Sequence, residues 1–139
     1  MTRFVLDASV SLRWFLDTAV PVYARRVKQL MLDGSRALVP ALWHLEMANG
    51  VIAGERRGIL TASDADRCLT NLEQLLALAV DTESAPLSAR AAFALARSFK
   101  LSAYDAAYLE LARRERLPVA TLDEHLKAAA PEAGVSVLR

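Results

Sequence analysis

The sequence predicts an α/β fold, a three-layer α/β/α sandwich around a short-stranded, mostly parallel central sheet. Three observations carry that expectation. Ala (26) and Leu (23) dominate the apolar residues against 11 Val and 2 Ile, a balance that favours helices over strands. Short apolar runs nonetheless recur between helical segments, the alternation of a parallel sheet with helices on both faces. Finally, 139 residues, 54% of them hydrophobic, suffice for one core and leave little room for a second. Residues 1–139 are therefore expected to form a single domain.

Each element follows from local signals. Phe4-Val5-Leu6 is an apolar run stopped by Asp7, as a buried strand would be. Val10 to Asp17 follows as a short helix carrying Leu12, Trp14, Phe15 and Leu16. Adjacent Trp14 and Phe15 cannot both face inward from it, so one is expected to line a groove for a partner. Pro21 opens a second helix in its first turn, where a missing N–H costs nothing, and Gly34 closes it. Ala37-Leu38-Val39 is a second strand, and Pro40 begins a long helix to about Arg57 with Leu45, Ala48 and Ile52 as its apolar stripe. Thr61-Ala-Ser-Asp64 reads as a cap for the next helix, whose stripe is Leu69, Leu72, Leu75, Leu76 and Ala79. Val80 starts a short strand before Pro86, and Ala89 to Phe99 is helical by composition. Ser102 opens another helix to about Arg116. Pro118 to Thr121 is a strand, Glu124 to Ala130 a short helix, and Val135 to Leu138 a last strand.

Composition also excludes. Seventeen basic and sixteen acidic residues leave a net charge of +1, which rules out a strongly basic coat for nucleic acid but not a local patch. One cysteine, Cys68, allows neither an intramolecular disulfide nor a cysteine zinc cluster and fits a reducing cytoplasm. No apolar run approaches the length of a membrane span, and no signal peptide is expected.

In open parallel sheets ligands bind beyond the carboxyl ends of the strands, so acids at strand ends matter. Asp7 directly follows the first strand and Asp123 ends the Val119–Leu122 run. Either would serve equally as the N-cap of the next helix. Glu46 borders the apolar face of its helix, with Asn49 one turn on; a solvated helix-edge pair is the plain alternative. Asp105 fits a capping box with Ser102. Yet Ala106, Ala107, Tyr108 and Leu109 should pack that helix against the sheet and aim its first turn at the strand ends.

Four acids on one edge would repel one another unless a cation sat among them. Mg²⁺ and Mn²⁺ suit such a set of hard oxygen donors, and they support phosphodiester hydrolysis without a histidine base. The two histidines, His44 and His125, make no believable triad with Ser9 or Ser102.

The run Val5-Leu6-Asp7-Ala8-Ser9 is followed by Pro40-x-Leu-x-x-x-Glu46-x-x-Asn49, then Ser102-Ala-Tyr-Asp105-Ala-Ala-Tyr108-Leu, then Ala120-Thr121-Leu122-Asp123. In this order, over essentially the whole chain, the set resembles the PIN-domain ribonucleases, and more narrowly the VapC-type toxins of bacterial type II toxin–antitoxin pairs. The resemblance implies a PIN-like sandwich and an endoribonuclease whose Mg²⁺ or Mn²⁺ is held by Asp7, Glu46, Asp105 and Asp123. It matches Ser9 and Thr121 to the small hydroxyl positions beside that cluster, and Asn49 to a polar position on the Glu46 helix. It further implies an RNA substrate, a homodimer and a VapB-like antitoxin.

A phosphodiester also needs positive charge. Arginine exceeds lysine by 14 to 3 and suits bidentate phosphate contacts. Arg13, Arg56, Arg57, Arg113, Arg114 and Arg116 are the candidates, Arg13 among the residues beside the site; solvated helix ends and partners of the helix dipole are the plain alternative. The rival readings are a phosphotransfer enzyme or receiver, a non-catalytic PIN-fold binding module, and a housekeeping PIN nuclease without an antitoxin. The phosphotransfer pattern wants a second Asp where Ser9 stands, and a receiver wants a Lys after a late strand, where Thr121-Leu-Asp has none.

Overall fold

The computed structural model describes residues 2–139; Met1, with which the expected domain begins, lies outside them. Four short strands form one parallel sheet: β1 (Arg3–Leu6), β2 (Arg36–Val39), β3 (Val80–Thr82) and β4 (Val119–Ala120), in the order β3-β2-β1-β4. Seven helices connect them: α1 (Ala8–Leu16), α2 (Val22–Leu32), α3 (Leu42–Arg56), α4 (Ala62–Ala79), α5 (Ala89–Phe99), α6 (Ala103–Glu115) and α7 (Glu124–Glu132). The chain steps outward from β1 to β3, then returns to β4 on the other side of β1. Parallel crossovers keep one hand, so this reversal divides the helices between the two faces. Helices α1 to α4 pack on one another, and α5 to α7 do the same. The expected α/β/α sandwich is the observed one.

β1 is central and wholly apolar where it is covered: Phe4, Val5 and Leu6 are fully buried. They pack with Met31, Trp43, Met47, Tyr108, Leu111 and Leu126 from both helical layers. Burying a side chain of this size is worth about 1.5–3 kcal/mol, so this strand is the anchor of the fold. Two glycines of α3, Gly50 and Gly54, let α1 come close. A Cβ at Gly50 would stand 2.3 Å from Leu12 Cδ2, and one at Gly54 would stand 3.0 Å from Leu16 Cδ2.

Several sequence expectations need correction. The buried face of α3 is Trp43, Met47, Val51 and Gly54. Leu45, expected in the apolar stripe, is 75% exposed and Ile52 is 36% exposed. Both faces of α3 carry apolar residues, so periodicity could not choose; the volume of Trp43 and Met47 decides which is buried. On α4 the capping box forms as read, Thr61 with Asp64, but Leu69 is 38% exposed while Ala65 and Cys68 are buried. Trp14 and Phe15 are both half-buried. The indole N–H of Trp14 donates to Ala24 O at 2.7 Å, and Phe15 packs toward Val51, Ala65 and Cys68. Both rings also border one surface pocket with Leu32 and Leu78. The expected last strand shrinks to one parallel bridge, Val119 to Val137.

Helices α5 and α6 end on Lys100 (φ 57°) and Arg116 (φ 55°), both left-handed. Both stops fall where the sequence predicts them, at Phe99 and at about Arg116; the left-handed caps are not predicted, since glycine is the usual residue there.

Candidate active site

The return of the chain from β3 to β4 opens a crevice at the carboxyl ends of β1 and β4, where a doubly wound sheet binds ligands. Strand pairing brings the two loops together: the Asp7 N–H donates to Ala120 O at 3.0 Å. A pocket of about 280 Å³ opens there, lined by Asp7, Glu46, Asp105 and Asp123 together with Ala8, Ser9, Leu12, Asn49 and Gly50. The four predicted acids, from four separate elements, meet at this one place.

Asp7 is 4% exposed. It occupies the N-cap position of α1 without a capping hydrogen bond, so its role as a simple cap is not the one observed. Instead its Oδ2 accepts from Ser9 Oγ at 2.6 Å and from Thr121 Oγ1 at 2.7 Å. Each hydroxyl also accepts a backbone N–H. Ser9 Oγ takes that of Leu122 at 2.9 Å and Thr121 Oγ1 that of Asp123 at 3.0 Å. The two small hydroxyls therefore tie the β1–α1 turn to the β4–α7 turn. Burial pushes the Asp7 carboxyl above its usual range, the two hydroxyls pull it down, and Asp123 adds a smaller push upward. Burial wins.

Asp123 does cap its helix, Oδ1 accepting from the Leu126 N–H at 2.9 Å. Glu46, on α3, is half-buried, and its Oε1 accepts from the hydroxyl of Tyr108 at 2.5 Å. Burial raises its pKa first, the tyrosine hydroxyl opposes, and Asp7 and Asp105 raise it further. Asp105 begins α6, where its N–H donates to Ser102 Oγ at 3.1 Å. The reciprocal bond of a capping box is not made, so its carboxylate is left for the pocket. Burial, then Asp123 and Asp7, push Asp105 up to about 6, against smaller downward pulls from Ser102 and His125.

The donors are carboxylate, hydroxyl and amide oxygens, a set that matches Mg²⁺ or Mn²⁺ better than zinc. Asp7, Glu46 and Asp105 are all raised, first by burial and then by neighbouring carboxylates, as a partly buried pocket short of positive charge would produce. The acids rim the pocket rather than converge on one point: among the described residues, no three Asp, Glu, His or Cys side chains form a ready-made cage.

The profile of the PIN domain family matches residues 4–131. The chain belongs to the PIN domain family. PIN domains are generally metal-dependent nucleases. Two solved structures share the fold. PAE2754 from Pyrobaculum aerophilum superposes with a TM-score of 0.69 at 20% identity, over 92% of this chain and 84% of that one. FitAcB from Neisseria gonorrhoeae gives 0.68 at 22% identity, over 98% and 96%. At these identities the likeness is one of fold. No curated protein matches the sequence significantly.

Other predicted residues of this PIN domain fall less neatly. Asn49 lines the pocket. Arg13 does not: it pairs with Asp17 at 3.1 Å, one turn along α1. Arg113, Arg114 and Arg116 lie at the far end of α6 from Asp105, roughly 12–16 Å along its axis at 1.5 Å per residue. Arg114 is held there by Glu110 and Glu83. Arg56 and Arg57 sit at the far end of α3. Tyr108 lies in the Ser102–Leu109 motif, but nothing in the sequence signals that its hydroxyl reaches Glu46.

The raised Asp7 pKa has a consequence for stability. Its folded value lies above the ordinary 3.8, so the folded state holds the proton more tightly than the unfolded one. Stability from this group is complete below about pH 4 and is lost as pH rises through the folded pKa. In metal-free protein, Asp7→Asn is expected to melt with wild type at acid pH and at or above it near pH 7. Thermal melts across that range check this; a large loss at pH 7 would mean that the carboxylate holds the fold together.

Proposed function

We propose that this PIN domain is a metal-dependent endoribonuclease, the toxin of a VapBC-type pair, acting in the cytoplasm as a single-domain homodimer until a VapB-like antitoxin binds it. The observation that carries the reading is the meeting of Asp7, Glu46, Asp105 and Asp123 on one open pocket. The toxin assignment rests on the ordered motifs around those acids.

In this reading the four carboxylates hold Mg²⁺ or Mn²⁺. Once bound, the ion supplies an activated water and offsets charge on the phosphate in the transition state. The chain's own residues prepare that place. Ser9 and Thr121 fix Oδ2 of Asp7, which lines the pocket. The N-cap bond from the Leu126 N–H likewise holds Oδ1 of Asp123. Asn49 offers an amide on the pocket wall to the sugar–phosphate backbone. The pocket is open, as an RNA strand entering from the surface requires.

The test is cleavage by purified, partner-free protein supplied with Mn²⁺ and offered total RNA and tRNA. Discrete fragments that disappear when the cognate antitoxin is added are expected. Intact RNA across the whole panel, from folded protein that also fails to bind Mn²⁺, would overturn the reading.

A further inference from the structure

We propose that Tyr108 is a positioning residue that selects which oxygen of Glu46 faces the pocket and holds it there. The inference rests on the metal-site reading above and adds a residue to it. Tyr108 is fully buried and lies three residues after Asp105 on α6, so both side chains point to the same side of that helix. Its hydroxyl donates to Glu46 Oε1 at 2.5 Å. Glu46 belongs to α3, in the opposite helical layer. This hydrogen bond therefore crosses the edge of the sheet and ties the two layers together at the mouth of the pocket.

The chemistry of the tie is directional. A phenol surrounded by apolar core has one hydroxyl proton, and the carboxylate is its acceptor. An ordinary phenol titrates at about 10, so the hydroxyl is protonated at neutral pH and acts as the donor of this bond. With Oε1 engaged, Oε2 is the oxygen left to the pocket. Glu46 is otherwise a long side chain with three rotatable bonds, able to swing toward solvent. Partners of this kind, which orient a ligand without touching the ion, typically change metal affinity by about 10- to 100-fold when removed.

The experiment is a double-mutant cycle read by Mn²⁺ binding to the partner-free protein, followed by the electron paramagnetic resonance of free Mn²⁺. Tyr108→Phe keeps the ring and its packing and is expected to weaken binding by about tenfold or more. In a Glu46→Gln background, already weakened, Tyr108→Phe should add little, because the tie acts through that carboxylate. Unchanged binding in Tyr108→Phe, or the same loss in both backgrounds, would overturn the proposal. Should Tyr108→Phe fail to fold, Glu46→Asp is the second route. It leaves Tyr108 intact but draws the carboxylate back by one methylene, and a comparable loss is expected. Wild-type affinity there would equally overturn the tie. If wild type itself, Asp7→Asn and Glu46→Gln all bind Mn²⁺ alike or not at all, it is the metal reading that fails, and the two failures are distinct.

Discussion

Removing divalent ions is expected to bring RNA cleavage down by about 10³-fold or more, to the background of the assay. The pocket presents four carboxylates, and the arginines that could offset them lie elsewhere or are paired, as Arg13 is with Asp17. A phosphodiester brought to such a place is repelled by every titratable group on its walls. Loss of several kcal/mol of transition-state stabilisation follows, and each 1.4 kcal/mol is a factor of ten. The measurement is a time course in EDTA, then with excess Mn²⁺ or Mg²⁺ restored. Cleavage that continues undiminished in EDTA would remove the metal mechanism. Melting under the same conditions supplies the companion result: Mn²⁺ should raise the midpoint in proportion to its affinity.

The second large effect is at Asp105. Asp105→Asn is expected to lower the cleavage rate by about 10²-fold or more, because it removes a negative charge where a divalent ion would be held. Stability should not follow activity down. The capping bond uses the backbone N–H of residue 105 and the hydroxyl of Ser102, and Asn keeps both. The wild-type carboxyl, raised to about 6, makes folded protein the tighter proton binder. Its contribution to stability therefore falls between about pH 4 and pH 6 and stays low above that. Metal-free Asp105→Asn should accordingly melt with wild type at pH 4 and above it at pH 7. Ser102→Ala is the contrasting control, expected to lose about 1 kcal/mol of stability and to keep most of its activity. An active Asp105→Asn enzyme would take this residue out of the chemistry.

The sequence announced most of this architecture because strands and acids coincide. Two of the short apolar runs end where a carboxylate or hydroxyl begins, as Leu6 gives way to Asp7 and Ala120 to Thr121. Parallel topology then brings those ends to one edge. Helix faces were less legible. Leu45, Ile52 and Leu69 look like core by spacing, yet the volume of Trp43 and Met47 on α3, and the line Ala65, Cys68, Leu72 and Leu75 on α4, take the inner positions. Asp7 and Asp123 looked alike in sequence and differ in space, since Asp123 caps a helix while Asp7 is served by two hydroxyls. Only the three-dimensional pairing of β1 with β4 distinguishes them. The tie between Tyr108 and Glu46 joins residues 62 apart, beyond the reach of any local pattern.

The central place of β1 also governs the order in which the molecule can be assembled. Of the four strands, the inner strand β1 comes first along the chain and its sheet neighbour β4 comes last. Asp7 meets Thr121 across 114 residues of chain, whereas helix pairs such as α5 and α6 close over short turns. Contacts this distant form late, because the entropy of closing so long a loop must be overcome first. A growing chain can therefore build its helical hairpins and the β1–β2–β3 part of the sheet while the acidic pocket still lacks Thr121 and Asp123. Pulsed hydrogen exchange during refolding should find the amides of Val119 to Asp123 among the last to be protected. Translation completes the acidic pocket only once β4 and the start of α7 have been made.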